Sequence, residues 1–103
     1  MSELIDTSKQ DKLNAKTKRL REKQLGDIRK VLSIPEGRRF YWRVLSQCGV
    51  FHSSWTGDTM QTLVNEGKRA VGIVFLDDLL EASPNVFAQL QREHKSNTEP
   101  EEN

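Results

Sequence analysis

The chain has 103 residues, 35% hydrophobic and 30% charged, with a formal net charge of +1. That length allows one small domain, and a folded part of roughly 60 residues buries only about 60% of its unfolded surface, too little for comfort without a partner. A single cysteine, Cys48, excludes an internal disulfide. The longest apolar run, residues 70–76, contains Gly72 and falls far short of the roughly 20 residues a membrane span needs.

The small net charge conceals a division along the chain. Residues 1–69 hold 14 Lys and Arg against 8 Asp and Glu, while residues 70–103 hold 2 against 7. Separated charge favours oriented contact with partners or between copies. The first residues show no basic stretch leading into an apolar one, so a secretory signal is not expected.

Residues 1–8 lack periodicity and are expected to be disordered. Residues 9–32 have helix formers without proline. Leu13, Leu20, Ile28 and Val31 share one arc, with Leu25 and Leu32 widening it. Lys9, Lys12, Lys16, Arg19 and Lys23 share a neighbouring arc, so residues up to 24 read as a projecting basic arm and residues 25–32 as core. Ser33-Ile34-Pro35-Glu36 then breaks and restarts the helix, with Ser33 as the expected cap or a start near Glu36. Phe40, Tyr41, Val44, Leu45 and Cys48 follow on one helical face that Gly49 ends, and Trp42 points off that face toward a third element or solvent.

A loop over residues 50–57 carries Phe51, His52 and Trp55, after which Thr56 or Asp58 can cap a helix reaching residue 82. Met60, Leu63 and Val64 open its apolar stripe, and Val71, Val74, Phe75 and Leu79 continue it. Ile73, Leu76 and Leu80 make its second half apolar on most sides. Ser83-Pro84 opens a last helix with Val86, Phe87 and Leu90 inward, and residues 96–103 read as a flexible acidic tail. The expected fold is therefore all-α: a small four-helix assembly with an extended basic N-terminal helix, divided into a basic arm (1–24, disordered then helical), a compact helical core (25–95) and a disordered acidic tail (96–103).

No catalytic constellation emerges. Cys48 and His52 could supply two metal ligands, but a structural zinc site needs four and the only other histidine is His94. No nucleophile elbow or glycine-rich phosphate loop is present, so the chain reads as a non-enzyme without cofactor, metal or small-molecule substrate. The basic arc of Lys9, Lys12, Lys16, Arg19 and Lys23 could track a phosphate backbone or an acidic protein, or simply be a solvated face. Arg38, Arg39, Lys68 and Arg69 could clamp an anionic partner, or could pair with Glu36, Glu66, Asp77 or Asp78 to fix helix register. Trp42, Arg43, Phe51 and Trp55 are partner anchors or core caps. Gly67 and Gly72 suggest close helix packing, since two glycines in an apolar helix are otherwise a cost.

The run GRRFYWRVLSQCGVF, the loop with Ser53, Trp55 and Thr56, and then NEGKRAVGIVFLDDLLEASP resemble a family of small tailed-bacteriophage proteins named after a protein of a Bordetella phage. The similarity covers residues 37–84 and excludes both the arm and the tail. The family-like positions are Gly37, Arg38, Arg39, Phe40, Trp42, Arg43, Cys48, Gly49, Phe51, Glu66, Gly67, Arg69 and Gly72. The resemblance implies a phage protein encoded among virion and packaging genes, with no assigned active site. The leading expectation is a protein of the virion or its assembly, in the virion or host cytoplasm, contacting a phage structural or packaging protein, itself, or DNA. The alternatives are a DNA-binding regulator or packaging accessory made during infection, and an inhibitor of a host enzyme.

Overall fold

The computed structural model describes residues 2–98, with side chains from residue 7 onward. Among these residues there are four helices and no strand: α1 (Ser2–Leu32), α2 (Pro35–Gln47), α3 (Thr59–Ala82) and α4 (Val86–Thr98). The protein is all-α, as the helical periodicities and proline breaks require. Residues 2–8 are helical instead of disordered. They lack an amphipathic stripe but hold no glycine or proline to stop α1. α4 likewise runs through residues 96–98 toward Pro100, with the Thr98 hydroxyl donating to the His94 carbonyl at 2.9 Å. The rest of the expected tail, residues 99–103, lies outside the described residues.

The turn between α1 and α2 follows from one proline. Ile34, directly before Pro35, is extended at φ −117° and ψ 146°, and Pro35 opens α2. Ser33 does not cap α2, because Ile34 occupies the cap position. Its hydroxyl donates back to the Lys30 carbonyl at 2.6 Å and closes α1. A Cβ on Gly37 would run into the Val31 carbonyl oxygen, so this glycine lets α2 fold tightly onto the end of α1. Asp58 caps α3 by accepting from the Gln61 amide at 2.8 Å. α4 begins at Val86, two residues past Pro84, where the Val86 amide donates to the Ser83 carbonyl at 3.1 Å.

The core is the place where the four helices meet near their junctions. Leu32, Leu45, Leu79, Val86 and Leu90 form its buried cluster, backed by Ile28, Tyr41, Trp42, Val50, Leu76 and Phe87. Leu45 and Leu79 are wholly inaccessible to solvent, and burying such a side chain stabilises by about 1.5–3 kcal/mol. Elsewhere the chain spreads out. It measures 75 × 39 × 16 Å with a radius of gyration of 19.2 Å, whereas a compact domain of this length has about 13 Å.

α3 differs most from a conventional amphipathic helix. Gly72, Leu76 and Leu79 face the core, but Met60, Leu63, Val64, Val71, Val74 and Phe75 are exposed. At 100° per residue these six lie within an arc of about 120°, turned roughly 130° from the core-facing side. The stripe expected to continue into Leu79 is therefore a separate, outward face.

Candidate functional site

Three surfaces hold the residues singled out by the sequence. The first is a corner between α2, α4 and the loop after α2. Trp42, expected off the inward face of α2, instead packs against the core, and Phe40, expected inward, is the exposed one; the indole stacks on Phe51 at 4.7 Å between ring centroids and on His94 at 4.8 Å, with Phe87 at 6.0 Å. The indole thus sits between the loop and α4, and its Nε1 is buried without a partner in the chain. Arg38 ties the same corner to α1: Nε donates to Glu93 at 2.9 Å and the guanidinium also reaches the Leu32 carbonyl at 2.9 Å. Hydrogen bonding from Arg38 holds the Glu93 carboxyl below the usual range, against a smaller opposing effect of burial. Arg38 is a structural cation here, reached from α4 instead of from Glu36, Asp77 or Asp78.

Its neighbours are freer. Arg39 lies 3.8 Å from Glu36 on its own helix, a weak exposed pair. Arg43 sits over the Phe40 ring at 5.7 Å. Arg38, Arg39, Trp42, Arg43 and His94 line one open groove of about 300 Å³. Cys48, His52 and Lys68 line another beside the loop. His94 therefore belongs to the Trp42 stack, away from Cys48 and His52, and among the described residues no group of three His, Cys, Asp or Glu side chains is poised for a metal. Arg69 is half-buried with Nε unpartnered, and Trp55 is 72% exposed at the loop. Of the four cations in the EGRR and EGKR motifs, only Arg38 and Arg39 form ion pairs among the described residues.

The second surface is the outer face of α3. Met60 is 73% exposed and Leu63 62%, and Phe75 joins this face to a wholly apolar groove shared with Val31, Phe40, Tyr41 and Val44. The Tyr41 hydroxyl donates to the Phe75 carbonyl at 2.6 Å beneath it. Burial, with a smaller contribution from Asp78, pushes the Tyr41 phenol up to about 12. Gly72 and Gly67 separate sharply here. A Cβ on Gly72 would collide with Val50 Cγ2 and Cys48 Cβ, so α2 and its following turn approach α3 at that glycine. A Cβ on Gly67 would meet nothing within 4 Å, so Gly67 packs no helix of its own chain.

The third surface is the arm. Every residue from 7 to 20 is exposed, and Lys9, Lys12, Lys16, Arg19 and Lys23 take part in no ion pair among the described residues. The arm's root is fixed by Arg21, whose Nη2 lies 2.7 Å from Asp78 and 2.6 Å from Glu81, and by Arg29, whose Nε donates to the Ala82 carbonyl at 2.7 Å. Arg21 lies on the side of α1 away from the basic arc. Its position roughly 120° or more from Lys16 and Lys23 around α1 was the available sign of a different role.

The described residues form a small helical protein with tightly joined helix ends, an uncovered apolar face and a cationic arm, and nothing among them points positively to catalysis. The family of Bbp19-like phage proteins matches residues 28–92, more than half the chain, and the protein belongs to that family. The match begins within the core part of α1, leaving the arm outside it, and ends in α4. No curated protein and no solved structure matches the chain. Among the described residues, no helix is long and apolar enough to cross a membrane.

Proposed function

We propose that this phage protein acts without catalysis in the virion or its assembly, by docking its apolar face on protein. The observation that carries this reading is the outward face of α3, continuous through Phe75 with Val31 and Phe40. Contiguous exposed apolar surface of this extent is rare on a monomer and marks interaction sites. A core of few buried residues gains stability from any partner that binds only the folded chain. Mass spectrometry of purified particles tests the reading. The protein is expected in mature virions or procapsids, and its absence from both overturns the proposal.

A second reading, DNA contact by a regulator or packaging accessory, is favoured by the unpaired cations of the arm. If Lys9, Lys12, Lys16, Arg19 and Lys23 each neutralise a phosphate, log K falls with log salt at a slope of about −4 to −5. Mobility shifts at low and moderate salt measure this, and failure to bind at low salt rejects DNA as a partner.

A further inference from the structure

α3 carries two apolar faces, and its own chain covers one. We propose that the outer face is the seam of a homodimer in which two α3 helices cross antiparallel about a two-fold axis at Gly67. The proposal deepens the reading of a contact-making protein by naming a second copy of this chain as a partner.

Self-complementarity is the main argument. A closed two-fold interface brings the same patch from each copy together, so it needs a patch that matches itself when reversed. Met60 and Val74 lie seven residues either side of Gly67, Leu63 and Val71 four, and Val64 and Ala70 three. Reversing the helix about Gly67 therefore sets Met60 of one copy against Val74 of the other, and Leu63 against Val71. None of these positions is charged.

The centre of the stripe is also the one place without a side chain. Glycine destabilises a helix interior relative to alanine, and nothing among the described residues approaches Gly67 closely enough to require it. A second backbone crossing there does require it.

The area is sufficient. The six outward side chains of α3, with Val31 and Phe40, expose on the order of 800 Å² of largely apolar surface, about what each partner brings to a standard stable interface. It exceeds the roughly 300–600 Å² of the largest apolar patch on a typical monomer.

Sedimentation of the purified full-length protein tests the proposal without phage or DNA, so its outcome is independent of the particle analysis. A dimer is expected that persists at about 0.5 M salt, because apolar burial is not screened. Val71→Glu is expected to weaken it about a hundredfold, each of two buried carboxylates contributing a factor on the order of ten. Val71 is exposed in the single chain, so helicity by circular dichroism should be unchanged. Leu63→Cys combined with Val71→Cys in a Cys48→Ser chain should oxidise to a linked dimer, since reversal about Gly67 sets these two positions opposite each other across the seam. Gln61→Cys, off the seam, should not.

A monomeric wild type, or a dimer indifferent to Val71→Glu, overturns the proposal. A dimer dissolved by salt does so too, and assigns self-association to the basic arm.

Discussion

The Trp42 corner, mostly aromatic, and the outer face of α3, mostly aliphatic, are both built from side chains that favour burial, yet the chain treats them in opposite ways. At the corner, Trp42, Phe51, Phe87 and His94 stack on one another, and Arg38 binds α1, α2 and α4 together around them. On α3, Met60, Leu63, Val71 and Val74 stand in solvent. The difference is supply. Four helices that meet near their ends form one core, and among the described residues no fifth element lies over the second face. Hydropathy says which side chains favour burial, but geometry decides how many one chain can bury.

That contrast can be broken by paired substitutions. The largest effect is expected for Leu79→Ala, which empties a wholly buried site and should cost about 3 kcal/mol in denaturant unfolding, whereas Val74→Ala one turn away should change monomer stability by about 0.5 kcal/mol or less. Comparable losses at both positions would mean that α3 has no outer face in the isolated chain. Next, Gly72→Leu should cost about 2 kcal/mol by forcing α2 and Val50 away from α3, as overfilled cores do. An unchanged melting temperature would show that the α2–α3 approach at Gly72 is loose.

The smallest effect concerns pH at the corner. The Glu93 carboxyl is held below its ordinary value by Arg38, so the folded chain favours the ionised form. Its contribution is present above the ordinary carboxylate pKa of about 4.3 and is lost as pH falls through the lower folded value. Melting followed from pH 6 to pH 3 should therefore decline less in Glu93→Gln than in the wild type. Parallel curves would mean that the pair with Arg38 contributes nothing.

Much of the fold was legible because local chemistry set it. Pro35 and Pro84 break the helices within a residue or two of where they restart, and Asp58 is one of two named caps, but on α2 the inward face was misplaced: Phe40 is exposed and Trp42 packs against the core. The role of Ser33 was missed because Ile34, and not Ser33, immediately precedes the proline. What stayed hidden depends on how helices cross. In α3 both faces are apolar, so periodicity alone cannot say which one the core takes, and Gly67 and Gly72 look alike until α2 is placed. The Arg21 pair with Asp78 and Glu81 joins helices some sixty residues apart in sequence and has no local signature. The arm was legible as charge and helix.

The two indoles occupy unlike surroundings: Trp42 is clamped between an imidazole and a phenyl ring, and Trp55 is 72% exposed. Their intrinsic fluorescence divides accordingly. Trp42 emission should therefore follow the integrity of the α2–α4 joint. Trp55 emits from water, and shifts to the blue only when something settles over the loop.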